Sequence, residues 1–400
     1  MIRVRNLKST RKKVKICLIV LFLLVCATFV LRQPLQIVNA KNDGEAELSQ
    51  NVIDQIENLD LKALEEYIKT LENFEDTDVS ARLLEFIKGD GISYGNFFEN
   101  IQKIIFQNVE NLFPAIACII AVSLICSLIS NLKSGKMASS SDVIFFIAYT
   151  AALIPLLAIV TECFLQSKNA VEEMQKQMQI VFPIMLTLMS AGGGSVSAAI
   201  CRPAVAFLST NIVSLISNVV FPITLAVMAF SMINHLSSDL KFSKFSAFLK
   251  SINKWIIGVS VSVFGLFFTL QGLTAASYDG IARRAAKYAI GSGIPIVGGF
   301  LSGGFDLAVA GSALIKNALG NMSVFLMIAV VFEPLLLLLA TNLLLRFTAA
   351  VTQPLGDGRI SNFLGETADN LNYCVAGVLF TAFLYFICVV LLVCLSEAFV

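Results

Sequence analysis

Four ionisable residues stand inside otherwise apolar sequence: Arg202, Asp306, Lys316 and Glu333. At membrane depth each costs roughly 2.5–3.5 kcal/mol on insertion scales, so such groups face protein or water, or mark a polar route. Glu333 directly precedes Pro334, and Arg202 directly precedes Pro203. These two are therefore candidates for a polar path or a contact between two halves of the chain, with Asp306 and Lys316 as further candidates. The alternative is that Arg202, Asp306 and Lys316 lie near interfaces and snorkel. Catalysis has little to draw on. The single histidine, His235, supports neither a histidine metal cluster nor a duplicated His–carboxylate pair. No GxxxxGK[ST] phosphate loop occurs, and Gly192–Gly194 lacks the strand–loop–helix setting of a dinucleotide site. No catalytic, cofactor-binding or metal-ligating residue is assigned, and no cofactor or nucleic-acid partner is expected.

The elements that must position these charges are apolar. Of the 400 residues, 56% are hydrophobic and 14% charged. A soluble domain carries about 25% charged residues, so most of this chain belongs in lipid. The expected fold is all-α: a polytopic membrane protein with Gly/Pro-broken helices and a small exported helical lobe at its N-terminal side.

The helix breaks are read from two similar stretches, 179–200 and 291–312. Pro183, Ile184, Ser190 and Gly192 match Pro295, Ile296, Ser302 and Gly304 at an offset of 112 residues, which also carries Pro222 onto Pro334. Pro183, Gly192, Gly193, Gly194, Pro295, Gly303 and Gly304 are the expected break residues. Paired interrupted segments of this kind surround a polar path or a packed midplane. Parallel repeats over 142–253 and 254–365, followed by a last span at 373–395, would account for the offset. Ala308, Gly311 and Ser312 continue a small-residue face suited to close helix crossing.

Residues 1–40 read as a signal peptide, with basic residues from Arg3 to Lys15, the apolar run Ile16–Leu31 and Val38-Asn39-Ala40 before the cleavage point. Residues 41–110 form an acidic lobe with helical periodicity, holding 14 acids against 5 bases between Lys41 and Asp90. So small a lobe has little core of its own, and it should lean on a partner or on the bilayer surface. The membrane domain covers 111–400 with between six and nine spans. Confident ones are Leu112–Ile129, Val143–Leu165, Ile256–Ala276, Val324–Leu345 and Tyr373–Leu395. The stretch Gly291–Gly320 reads as re-entrant segments or protein-shielded helices. Basic loops at 131–141 and 237–254 should be cytoplasmic, leaving the lobe outside; Arg283, Arg284 and Lys287 run against that rule. Leu240–Ile252 reads as a short amphipathic helix in the headgroup region, in contact with lipid or with a cytoplasmic partner. The cysteines after the signal sit in or beside apolar segments and read as small buried hydrophobes.

Several of these segments resemble one family, stage III sporulation protein AE of endospore-forming bacteria. The resemblance is carried by GGGSVSAAI with RPAVAFLS (192–209), YDGIARRAAKYAI (278–290), IPIVGG (294–299) and SALIKNALG (312–320). It implies a non-enzymatic, platform or export-gate-like subunit of a secretion-type channel between mother cell and forespore, needed for forespore development and late forespore transcription. It also implies partners: a sporulation ATPase, ring-forming subunits and a forespore membrane protein met across the intermembrane space. The implied location is the mother-cell membrane facing the forespore. Two other readings follow from the residues: a secondary transporter with an ion or substrate site at the broken helices, or a membrane enzyme.

Overall fold

The computed structural model describes residues 42–57, 59–70, 79–88, 110, 112–122, 124–125, 138–236, 242–266, 298–354 and 358–397. Residues 1–40, Pro295, the cluster Arg283–Lys287 and the remainder of the span expected at Leu112–Ile129 lie outside them. The described residues are helical and contain no strand.

Three helices form the lobe: α1 (Asn42–Glu57), α2 (Lys62–Lys69) and α3 (Val79–Lys88). A short apolar helix, α4, follows at Leu112–Val122. The bundle is built from α5 (Ala138–Ala191), α6 (Ser195–His235), α7 (Ser243–Leu266), α8 (Gly298–Thr352) and α9 (Gly358–Glu397). Each of the five contains a segment long and apolar enough to cross a membrane. The candidate span of α5, Tyr149–Ala191, has 43 residues around its apolar window. At ~1.5 Å per residue it is about 65 Å long, twice the hydrocarbon thickness of about 30 Å. The long helices therefore extend well beyond a bilayer at one end or both.

Helix α5 runs uninterrupted through Pro155 and Pro183. Its buried positions Cys163, Ser167, Ala170, Met174, Gln177, Val181, Met185 and Leu188 recur every three or four residues, a single inward stripe. Lys168–Glu172 (3.6 Å) and Lys176–Glu173 (2.6 Å) pair on its outer side. The helix ends at Gly192–Gly194, where Gly193 takes φ 87°, open to glycine at little cost. Helix α6 then returns antiparallel. Tyr149 lies opposite Met232 (2.9 Å), Phe164 opposite Phe221 (5.6 Å) and Gln175 opposite Thr210 (3.3 Å). Two π-helical turns, Leu208–Ile212 and Ile216–Val220, interrupt its hydrogen-bond ladder. Side chains of neighbouring helices meet their carbonyls: Gln175 donates to Thr210 O, and the fully buried Asn253 to Val220 O (3.3 Å).

The α8–α9 pair forms a second antiparallel hairpin. Ser361 donates to Ala349 O (2.7 Å) at one end, and Lys316 to Val393 O (2.9 Å) at the other. Helices α5 and α9 pack on each other and on both α6 and α8. The α5–α9 pair thus forms the middle of the bundle, with α6 and α8 on opposite edges.

The structure departs from the sequence reading at several points. Of the two forms expected for the second glycine-rich stretch, the structure shows the protein-shielded helix and not the re-entrant segments: from Gly298 onward it belongs to one 55-residue helix, α8. Gly303 and Gly304 lie inside that helix, and Pro183 lies inside α5, so none of the three interrupts its helix. The small residues that follow, Ala308, Gly311 and Ser312, do receive a close neighbouring helix, as their small-residue face leads one to expect. Residues 179–233 hold the end of α5 and most of α6, joined by one turn. The amphipathic stretch Leu240–Ile252 does not form a helix of its own. From Ser243 it is the first part of α7, which continues to Leu266 because the apolar run after Trp255 carries no stop signal.

Candidate functional site

The two glycine-rich stretches meet at the far end of the bundle from Tyr149 and Thr352. A Cβ added at Gly192, in the tip of the α5–α6 hairpin, would stand 3.7 Å from Ser312 Cβ on α8. The lobe closes over the same place. Gln55 on α1 donates to Ala308 O (3.2 Å) and accepts from Ser312 Oγ (3.0 Å). Asn51, one turn earlier, holds the Gln55 amide. Gly311 makes this approach possible: a Cβ there would lie 2.9 Å from Gln55 Nε2 and 3.1 Å from Asn51 Oδ1. Helix α3 also packs on α8, and α2 on α5. The lobe core, from Val52 and Ile56 through Leu64 and Ile68 to Val79 and Leu83, is continuous with the core of the bundle. A lobe expected to lean on a partner or on lipid leans on its own membrane domain, because its helices are too short to bury their apolar faces among themselves.

A second contact lies lower on α5. Gln177, fully buried, donates to Tyr67 Oη of α2 (2.9 Å) and to Leu326 O of α8 (3.4 Å). Burial pushes the Tyr67 phenol well above its ordinary range, and the nearby Glu173 adds to the rise. Tyr385 of α9, wholly buried, packs edge-on against Phe182 beside this contact (5.5 Å).

The sequence-predicted charges do not converge within one chain. Lys316 is 1% exposed and donates to Val393 O in the last turns of α9. There the helix dipole favours a cation. Arg202 and Glu333 are exposed on α6 and α8, the two opposite edges of the bundle. The side chain of Asp306 lies outside the described residues, although its backbone is part of α8.

A different polar cluster occupies the other end of the bundle. Arg346 Nη2 bonds Asp369 Oδ1 (2.6 Å), and its Nε bonds Asn342 Oδ1 (2.8 Å). Asn342 in turn donates to Ala368 O, and Ser231 of α6 donates to Glu366. His235 bonds Ser231 O (2.8 Å), and its ring lies tilted 5.7 Å from that of Phe363. Asn362, Gly365, Glu366, Asp369 and Asn372 recur at three- or four-residue spacing along the accessible side of α9. That periodicity was available in the sequence. It lies just outside the span expected at 373–395.

The sequence model of the family described as stage III sporulation protein AE (spore_III_AE) matches residues 78–396. The chain belongs to the stage III sporulation protein AE family. A relative from Bacillus subtilis (strain 168), stage III sporulation protein AE, is 26% identical over 307 residues, covering 76% of this chain and 77% of the relative. No solved structure matches the chain. The family match begins at residue 78, at the edge of α3. It therefore takes in the whole bundle, the hairpin tip and Gly311, but not α1 and α2, which close over them.

Proposed function

We propose that this chain is a non-enzymatic platform subunit of the secretion-type complex that joins mother cell and forespore in sporulation. Membership of the stage III sporulation protein AE family carries the reading. In it, the subunit sits in the mother-cell membrane, its lobe in the intermembrane space toward ring-forming subunits and a forespore membrane protein. Its opposite end faces a cytoplasmic ATPase.

The placement of charge supports this orientation. The flanks of both basic loops, Ala138 after the first and Leu236 and Phe242 around the second, lie at the Tyr149–Met232 end of the bundle. The lobe docks at the other end, near Gly192 and Ser312. Basic loops inside and an acidic lobe outside agree with the positive-inside rule. The clasp of Gln55 over the hairpin tip gives the exported lobe a mechanical link to the spans, as a gate or platform needs.

The test is an affinity purification of the tagged protein from crosslinked sporulating cells, with partners identified by mass spectrometry. Recovery of a sporulation ATPase and ring-forming proteins is expected. Recovery of the chain alone, or only with itself, would overturn the reading.

A further inference from the structure

From the two outer edges of the bundle we infer that copies of this chain assemble head to tail, the α8 edge of one against the α6 edge of the next. This goes beyond the proposed role and does not depend on it.

The two edges carry complementary groups at one height. On α8, Glu333 is exposed, and among the described residues no side chain pairs with it. This exposed carboxylate, level with the α5 pairs Lys168–Glu172 and Lys176–Glu173, faces protein or water. Its height follows from α5. Cys163 lies opposite Thr341 (3.3 Å) and Gln177 opposite Leu326 (3.4 Å). Glu333 falls about midway between Leu326 and Thr341, hence level with the middle of the α5 segment Cys163–Gln177. On the other edge, Ser217 bonds Glu172 (3.2 Å) and Thr210 O accepts from Gln175 (3.3 Å), within that same segment. There α6 passes through its π-helical turns and exposes Asn211 and Asn218, with Asn218 Nδ2 bonded to Ser214 Oγ (2.9 Å). Each asparagine amide has a proton to spare for a carboxylate.

The flanks match as well. Below Glu333 the α8 edge shows Leu343 (69% exposed) and Phe347 (59%); below Asn218 the α6 edge shows Val219, Leu225 and Ile233. An apolar stripe under a single acceptor thus meets an apolar stripe under two donors. Polar groups of this kind fix register between membrane helices. Because the edges differ and lie on opposite sides of the bundle, the contact is heterologous. It propagates to a ring if the rotation closes.

Cross-linking in native membranes tests this, in a chain with the exposed Cys118 and Cys394 replaced by serine. One tagged chain carries Glu333→Cys, a differently tagged chain Asn218→Cys, and a short bis-maleimide joins them. Expected are dimers containing both tags, none from either variant alone, and a ladder from the double variant. Glu333→Lys paired with Asn211→Asp, read through cysteines placed at Leu343 and Leu225 on the facing apolar stripes, should recover yield lost about tenfold by Glu333→Lys alone. An intrachain link between Gln175→Cys and Thr210→Cys verifies folding. With that link present, absence of the mixed dimer, links between identical positions only, or a link from Glu333→Cys to a different protein would overturn the inference.

Discussion

Ser312 Oγ on α8 lies 3.0 Å from Gln55 Oε1 on α1, a hydrogen bond between residues 257 positions apart that ties the lobe to the bundle. It forms over Gly311, whose missing side chain lets α1 approach. Gly311→Leu should therefore lift α1 away while the bundle stays folded, since overpacking a close crossing costs about 1–3 kcal/mol. Limited proteolysis would read this as faster cleavage within 42–57. Unchanged protection of that segment would mean that α1 is held elsewhere.

Tyr67 is the hinge of the second contact, between α2 and α5. Burial favours its neutral phenol, so its folded-state pKa stands above the ordinary value of 10.0. An acid whose pKa is raised on folding stabilises the fold below its unfolded pKa and loses that contribution as pH climbs past it. Lobe docking should hold up to about pH 10 and weaken above it. Tyr67→Phe should blunt the alkaline loss and cost about 1 kcal/mol at neutral pH, for the hydrogen bond with Gln177. Thermal unfolding of the detergent-solubilised protein across pH 9–11 (roughly one unit either side of the free phenol) would check both.

Lys316 puts a cation where the α9 helix ends and its carbonyls are negative. Reversing the sign there should be far worse than removing it. Lys316→Glu should lose most of the folded protein, through repulsion by Val393 O and an uncompensated buried charge. Lys316→Met, of similar length, should retain substantially more. Size-exclusion profiles of the two variants give the order directly, and equal yields would argue against the dipole account.

The apolar character of the chain made its membrane helices legible. The match between Gly192 and Gly304 pointed to two stretches that meet in space, although only the first turns the chain. What separates them is tertiary. Gly193 takes φ 87° and turns the chain, whereas the small residues of α8 stay helical and receive α1. Periodicity could not foresee this, because Gln55 and Ser312 are ordinary polar residues until they are 3.0 Å apart. Arg202 and Glu333 stood out by charge but lie on opposite edges of the bundle. Arg346, Glu366 and Asp369 lie outside the spans that hydropathy marks, although packing makes them part of the same long helices.

That missed cluster yields the last prediction. Arg346 and Asp369 pair at 2.6 Å, with Asn342 fixing the guanidinium and the aspartate side chain 63% exposed. In water such a pair contributes about 0–1 kcal/mol, and its loss would pass unnoticed. Beside it, however, α8 exposes Leu343 and Phe347, a surface suited to lipid or protein rather than water. In that setting each charge left without its partner is disfavoured. Arg346→Glu and Asp369→Arg alone should each lower the amount of protein folded in the membrane, and together should restore it. Measuring membrane levels for the two singles and the double decides the matter. Full levels in either single variant would place the pair in bulk water, at the cytoplasmic or the exported surface.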